Sequence, residues 1–270
     1  MTHAPAASRV LLAVVLSAAA LLTAAACVAG DREVPRALPA GVPEPPPASA
    51  PTSSASPAAE QPSPGPPALS EGQLRAALIT EADLGEPWTA GRGAATWRDG
   101  MLKARAQNPD CLRLLDVLYT EEPFGRPAGP SATVTLDDVS EESQLRYQVA
   151  AHPPADVDDV LAWAKTLPKE CERFEATTVR GDGLLVEVAE LPLPGAGDAR
   201  AGLRVTLTGE ESGGTPSRLT VHLAAVRVGE DAITLTNGGP GAVLPEVTRA
   251  MARLGADRLA DVGRQARVRV

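Results

Sequence analysis

The sequence contains few of the side chains that usually carry enzyme chemistry. Its 270 residues include only 3 His and 3 Cys, and aromatic residues make up 3% of the chain. No G-x-S-x-G motif is present to hold a serine nucleophile, and "GRGAAT" (91–96) lacks the third glycine and the lysine of a phosphate-binding loop. His3 lies in the N-terminal leader, His152 in a loop, and His222 at a polar strand position, where a solvent-exposed or hydrogen-bonded role is expected. We therefore predict a non-catalytic protein without a cofactor.

Acidic residues outnumber basic ones, 34 to 25, and lysine is scarce. The formal net charge is −9, and Lys103, Lys165 and Lys169 are the lysines of the whole chain. A nucleic-acid partner would require a clustered basic face, so this class is excluded. The one basic cluster, Arg264, Arg267 and Arg269, is interpreted as a solvated or frayed end.

Metal-binding patterns are missing as well. The acidic runs "LDDVSEES" (136–143) and "ADVDDV" (155–160) could offer oxygen ligands to Ca²⁺, but neither has the spacing of a dedicated calcium loop. Both are better explained as a solvated surface or a helix cap. The sequence separation of 60 between Cys111 and Cys171 fits no zinc pattern. We predict no metal site.

The first charge-free segment predicts export. No charged residue occurs from Val10 to Gly30, with Arg9 before this run and Asp31 after it. A positive start, an apolar stretch and small residues before a cleavage point are typical of a secretory signal peptide. We assign this signal to residues 1–26.

Cys27 is the predicted lipidation site. The preceding segment resembles a bacterial lipobox, although position −3 is Ala24 and the leucines lie further back, at Leu21 and Leu22. Two alternatives stay open: cleavage after Ala26 would release a secreted protein, and an uncleaved run of this length could span a bilayer. The lipoprotein hypothesis places the chain on the extracytoplasmic face of the cell membrane.

Three further segments follow the signal peptide. Residues 27–69 form a predicted disordered tether, because 12 of the 26 prolines lie between residues 31 and 69 and little apolar sequence accompanies them. Residues 70–262 form the predicted folded domain, and residues 263–270 a basic tail. No internal repeat is present.

Helix signals occur at four places in the domain. A short helix is predicted within "EGQLRAALIT" (71–80), a second from Asn108 to Tyr119, a third from about Asp156 to the stop at Pro168, and the last over 244–262. In the second helix, Asn108 can cap the start, and apolar residues recur at the helical spacing. These apolar residues are Cys111, Leu114, Leu115 and Leu118.

Strand signals fill most of the remaining domain. Apolar and polar residues alternate over 133–136, 203–208, 219–223 and 233–236, with turn-forming sequences between several of these runs. Alternation is typical of an antiparallel sheet covered on one face. The sequence therefore predicts an α+β domain, with about seven antiparallel strands and helices packed on one face.

Lipidation of Cys27 would leave an even pair of cysteines. Cys111 and Cys171 are then expected to form a disulfide in an oxidising compartment, with two free buried thiols as the alternative. Trp88, Trp97 and Trp163 are expected to pack in the core, and they are also the candidates for lining a ligand cleft.

Three short motifs resemble the PknH-like extracellular sensor domain, a family of actinobacterial envelope modules. They are "LRAALITEADLGEPW" (74–88), "NPDCLRLL" (108–115) and "LAWAKTLPKEC" (161–171). The resemblance implies an antiparallel sheet with helices against it, enclosing a ligand cleft. It also implies that Cys111 and Cys171 match one disulfide of the family, while a second family pair is missing here. No kinase motif is present, so signalling would require a partner.

The sequence thus favours a membrane-anchored envelope lipoprotein with a ligand-binding or sensor-like domain. The expected partner is an unknown envelope ligand, a lipid, glycan or peptide, or an envelope protein. Two alternatives stay open. The chain could be an envelope interaction protein with a solid core, or a hydrolase with a cryptic site in which His222 meets a serine and an acid.

Overall fold

The computed structural model describes residues 68–127, 129–210 and 216–268. The helices are α1 (Glu71–Ala76), α2 (Glu81–Leu84), α3 (Thr96–Met101), α4 (Pro109–Thr120), α5 (Pro154–Glu170) and α6 (Pro245–Val268). The strands are β1 (Trp88–Ala90), β2 (Ala104–Arg105), β3 (Ser131–Asp138), β4 (Ser143–Ala151), β5 (Arg173–Thr178), β6 (Gly183–Glu190), β7 (Ala199–Glu210), β8 (Pro216–Val228) and β9 (Asp231–Gly239). The predicted signal peptide, Cys27 and nearly all of the predicted tether lie outside the described residues.

One antiparallel sheet contains all nine strands, in the order β1-β3-β4-β9-β8-β7-β6-β5-β2. The predicted α+β class and antiparallel sheet are confirmed. The strand count exceeds the predicted seven because β1 and β2, with three and two residues, are too short to show alternation. They pair with β3 and β5 at the two edges of the sheet.

Helices pack on both faces of the sheet, rather than on one face as predicted. The first face carries α3, α4 and α5, and the second face carries α1 and α6. Leu223 and Ala224 are neighbours in β8 but belong to two different cores, because successive side chains of a strand point to opposite faces. Thr220 and His222, whose positions suggested a polar face, are therefore buried.

Helices α4 and α5 follow the predicted patterns closely. The Asn108 side chain accepts the backbone N–H of Asp110 at 2.9 Å and so caps α4. The predicted apolar stripe of α4 is buried. Pro168 lies inside α5 rather than ending it, since the helix continues to Glu170.

Helix α6 is longer than predicted and holds the N-terminal part of the domain. It runs to Val268 and so includes most of the predicted basic tail. A Cβ atom at Gly255 would lie 2.2 Å from the Tyr147 hydroxyl, so glycine is required for α6 to lie this close to β4.

Arg258 of α6 donates to both carboxylate oxygens of Asp83, at 2.5 and 2.7 Å, and these bonds lower the pKa of Asp83. In the described part of the chain, no helix is both long and apolar enough to cross a membrane.

The predicted disulfide is present. Cys111 near the start of α4 and Cys171 just after α5 are bonded, with their Cα atoms 5.6 Å apart. Both cysteines are buried in the core of the first face. The bond therefore ties α4 to the end of α5 across a sequence separation of 60.

Removing this bond should lower stability. Closing a loop of this length stabilises by up to about 4 kcal/mol in the chain-entropy model, so the Cys111→Ala/Cys171→Ala variant should lose much of that free energy. Urea unfolding monitored by circular dichroism measures the loss. The unchanged protein in reductant is the control and should approach the stability of the variant. Equal stability of the oxidised protein and the variant would contradict the prediction.

Candidate functional site

A groove at the end of the sheet is the strongest candidate for a ligand site. It has a volume of about 490 Å³ and lies between α5, the segment 190–194 and the first residues of β7. Its buried lining residues are Ala164, Leu191, Leu193, Ala201 and Leu203. A larger and more open concavity of about 1020 Å³ lies beside β5, β6 and the ends of β7 and β8.

Unequal strand lengths create the groove. β6 ends at Glu190, which pairs with Leu203 of β7. β7 begins at Ala199, four residues before Leu203, so its first four residues have no partner in β6. The chain after β6 folds back over the free part of β7, where the Leu191 N–H donates to the Gly202 carbonyl at 2.9 Å. A Cβ atom at Gly202 would lie 2.2 Å from the Leu191 carbonyl oxygen, so only glycine permits this close approach.

The charged residues of the groove are mostly basic. Lys165 and Arg200 line it together with one carboxylate, Glu190. Arg200 donates to the carbonyls of Ala196 and Gly197, at 3.0 and 3.2 Å, and so fixes the turn behind the groove. Lys165 is exposed and has no salt bridge among the described residues. The rim therefore offers a free ammonium group above an apolar floor.

The three tryptophans do not surround one cleft in the described structure. Trp88 lies in the edge strand β1 and packs against the core of the second face. Trp97 and Trp163 pack against the core of the first face. The Trp163 indole donates to Asp110 at 2.9 Å, and the Arg113 guanidinium lies 3.9 Å from the centroid of its ring. None of the three lines the groove.

A buried ion cluster on the first face was not predicted. The carboxylate of Glu121 lies 2.5 Å from Arg98 and 3.3 Å from Arg146, and Thr236 also donates to it. Glu121 follows α4 in the left-handed conformation, with φ of 58°, which turns its side chain onto the sheet. The sequence gives no signal for this arrangement, because the three charged residues are far apart along the chain. A buried carboxylate held by two guanidinium groups fixes the loop after α4.

A second polar cluster lies under α6 on the other face. The Asn237 amide donates to Thr248 Oγ1 at 3.2 Å, and Thr248 Oγ1 lies 3.0 Å from His222 Nδ1. His222 Nε2 and Asn237 Oδ1 are buried and have no hydrogen-bond partner in the described structure. Burial lowers the pKa of His222 to about 4, with smaller contributions from Arg204 and Arg249.

His222 does not form the serine–histidine–acid site of the hydrolase alternative. Its side chain is 0% exposed, and the hydrogen-bond partner that the structure gives it is a threonine of α6. A general base must reach its substrate within hydrogen-bond distance, and this imidazole is sealed between helix and sheet. The clustering that the hydrolase hypothesis required is therefore not observed around His222.

Comparisons with known proteins give distant structural neighbours. No protein-family model matches the chain, and no curated protein matches it. The extracellular domain of PknH from Mycobacterium tuberculosis is similar with a TM-score of 0.46 and 14% identity, over 74% of this chain and 100% of that one. The Rv0999 ortholog from Mycobacterium smegmatis is similar with a TM-score of 0.32 and 14% identity, over 72% and 95%. The first of these belongs to the family that the sequence motifs resemble.

The buried imidazole should make stability depend on pH. The pKa of His222 is lower in the folded chain than its usual 6.5, so protons bind the unfolded chain first as the pH falls. The free energy of unfolding should fall by about 3 kcal/mol between pH 6.5 and 4 through this group. Asp231 opposes it, because burial raises the pKa of its carboxyl to about 6, and its penalty in the folded state disappears as the pH falls.

Two variants separate these contributions. On acidification, Asp231→Asn should lose stability more steeply than the unchanged protein. Asp231→Asn/His222→Gln should lose it less steeply than Asp231→Asn. Urea unfolding at several pH values between 7 and 4 measures both slopes. Equal slopes in the single and double variants would show that His222 does not titrate as described.

Proposed function

We propose that the protein is a non-catalytic, sensor-like binding domain of the cell envelope. The observation that carries this proposal is the groove beside α5, which has a buried apolar floor and a free lysine on its rim. Sites for small molecules are typically concave and mostly apolar, with a few polar groups that orient the ligand. Volumes of about 300–1,000 Å³ are usual for them, and the groove falls within this range.

The lining favours a lipid-like ligand over the other two classes expected from the sequence. It includes no aromatic ring on which a sugar could stack and few hydrogen-bonding side chains for a peptide. Two basic residues, Lys165 and Arg200, stand against the single carboxylate of Glu190. An amphipathic molecule with one anionic group matches this surface. Its apolar part would cover the leucines, and its anionic group would pair with Lys165.

The location follows from the N-terminal sequence. A lipid on Cys27 would hold the domain on the extracytoplasmic face of the membrane, and the proline-rich residues 31–69 would separate the two. A tether biased towards polyproline II gives such a domain reach without a fixed orientation. An anionic amphiphile of the envelope would then be within reach of the groove.

A charge reversal tests the proposed ligand. Hexanoate should bind the full chain, and Lys165→Glu should weaken its binding at least about tenfold, since the variant places a carboxylate where the ligand's own charge must lie. Ligand-detected NMR titration measures both affinities. Lys169→Glu is the matched control, because Lys169 is also exposed on α5 but does not line the groove. Hexanol should bind more weakly than hexanoate. Absence of hexanoate binding, or equal weakening by both variants, would refute the proposal and favour a domain that only docks to other proteins.

Removal of the thiol tests the anchor. Cys27→Ser should release the protein from membranes, because the hydroxyl cannot accept the thioether-linked lipid. Fractionation of the host followed by detection of the protein in membrane and soluble fractions measures the change. The Cys111→Ala/Cys171→Ala variant is the control and should stay in the membrane fraction. Retention of Cys27→Ser in membranes would instead support the uncleaved helix.

A further inference from the structure

A second pocket lies on the second face of the sheet, beneath the last turns of α6. It has a volume of about 350 Å³, and we call it the Asp231 pocket. Its walls are the start of the domain at Leu69, the turn between β8 and β9, and the C-terminal part of α6. No residue lines both this pocket and the groove beside α5.

The strand register fixes the direction of the Asp231 side chain. Asp231 pairs with Ala151 of β4 on one side and with Val228 of β8 on the other. All three residues line the pocket, in one row across the sheet. Successive side chains of a strand point to opposite faces, and Ile233, two residues further along β9, belongs to the core of the second face. Asp231 therefore projects from the second face, towards α6.

A glycine in α6 leaves the space for the pocket. Leu259, Gly263 and Ala266 recur at i, i+4 and i+7, so they lie on one side of the helix. Leu259 is buried in the core of the second face and Ala266 packs partly against it, so this side of α6 is turned to the sheet. A Cβ atom at Gly263 would nonetheless meet no heavy atom within 4 Å. The gap between helix and sheet therefore opens beneath Gly263.

Asp231 is the group in the pocket that protein contacts do not account for. It is 9% exposed, and no described residue forms a side-chain hydrogen bond or a salt bridge with its carboxylate. Burial, with a smaller contribution from Glu230, raises the pKa of Asp231 to about 6. Asp198, by contrast, accepts the Gly229 N–H at 2.8 Å. Because a buried charge is unfavourable without a partner, a cation from outside the chain would be stabilised at Asp231.

The basic residues of the lining do not supply this partner. Arg264 and Arg267 are exposed near the end of α6, and Arg264 forms a salt bridge with Asp261. Exposed charges are screened by salt, whereas a buried carboxylate is screened much less. The inner end of the pocket is therefore acidic, and its rim carries charges of both signs.

We propose that the Asp231 pocket binds an alkylammonium ion, with the ammonium group at Asp231 and the alkyl chain against α6. Hydrogen bonds from an ammonium group to a carboxylate are charge-assisted and stronger than neutral ones. Leu69, Val228 and Leu259 provide apolar surface for the alkyl chain. This site is additional to the groove and does not rest on the function proposed for it.

The size and chemistry of the pocket restrict the ligand. A volume of about 350 Å³ corresponds to roughly twelve water molecules, which is room for an ammonium group with a chain of about six carbons. Calcium prefers 6–8 oxygen ligands, and no group of three or more acidic, His or Cys residues able to hold a metal exists in the described part of the chain. An organic cation fits this apolar lining better than a metal ion does.

Titration of the full chain with hexylamine tests the assignment. Isothermal titration calorimetry at pH 7 should show binding of hexylamine and weaker binding of hexanol, which has no charge. Asp231→Asn should weaken hexylamine binding at least about tenfold, since it removes the charge partner of the ammonium group. The variant keeps the shape of the side chain and removes a charge that burial disfavours, and thermal unfolding checks that it is folded.

Gly263→Leu tests the pocket without changing any charge. Leucine is a better helix former than glycine, and the Cβ position is free, so the variant should be at least as stable as the unchanged protein. Its side chain would occupy the gap beneath α6, and hexylamine should bind at least about tenfold more weakly. A surface ion pair without a pocket would not respond to this substitution.

The affinity should also depend on pH. Only the ionised carboxylate pairs with the ammonium group, so hexylamine should bind about tenfold more weakly at pH 5 than at pH 7. Residual binding to Asp231→Asn should not show this dependence. That variant keeps the other charged residues of the lining, which are Asp198, Glu230, Arg264 and Arg267.

Asp257→Asn is the matched control, because Asp257 is an exposed residue of α6 outside the lining. It should leave the affinity for hexylamine unchanged. The proposal is overturned if hexylamine does not bind, if hexanol binds equally well, if Asp257→Asn weakens binding as much as Asp231→Asn, or if Gly263→Leu leaves the affinity unchanged. Because hexanoate and hexylamine report on different sites, either proposal can fail without the other.

Discussion

Burial of strand β9 along its entire length is the constraint on which the rest of the domain depends. All nine of its residues are buried, and helices cover both faces of the sheet beside it. A polar residue in such a strand must find a partner within the protein. Thr236 donates to Glu121 on one face, and Asn237 donates to Thr248 on the other. These two bonds link the sheet to the loop after α4 and to α6.

This constraint explains why possible binding sites lie at the ends of the sheet and not at its centre. In the described part of the chain, the middle strands are packed by apolar side chains on both faces. The groove forms where β7 extends past β6, and a smaller pocket of about 90 Å³ lies where β9 ends and the chain turns into α6. In both places a glycine permits a close approach of the backbone: Gly202 lies against Leu191, and Gly241 lies against Glu141 in the turn between β3 and β4.

The sequence predicts the parts of the fold that depend on local patterns. The cap and apolar stripe of α4, most of α5, the alternating strands and the pairing of Cys111 with Cys171 are all evident from neighbouring residues or from cysteine number. The second layer of helices could not be predicted, because His222 and Thr220 alternate with apolar residues as they would on a solvated face. Gly255 interrupts the apolar pattern of α6 in the sequence. The structure explains it, because the Tyr147 side chain packs directly against this position and leaves no room for a Cβ atom.

The candidate sites were less predictable than the fold. Lys165 and Glu190 are separated by 24 residues and line the same groove only because α5 packs across the sheet near the end of β6. Asp231 and Ala151 are brought together by strand register, which cannot be derived from one sequence without the strand order. The tryptophans do not surround one cleft: Trp88 packs against the core of the second face, and Trp97 and Trp163 pack against the core of the first face. An aromatic residue type alone therefore gave little information on where a ligand would bind.

Native mass spectrometry of the protein extracted from the membranes of its own host tests the central claim, a ligand-binding domain, most directly. The account predicts a second population, heavier than the protein without ligand by the mass of a small anionic amphiphile, that disappears on collisional activation. A single population with the mass of the protein without ligand, under conditions that preserve other lipid complexes, would contradict it.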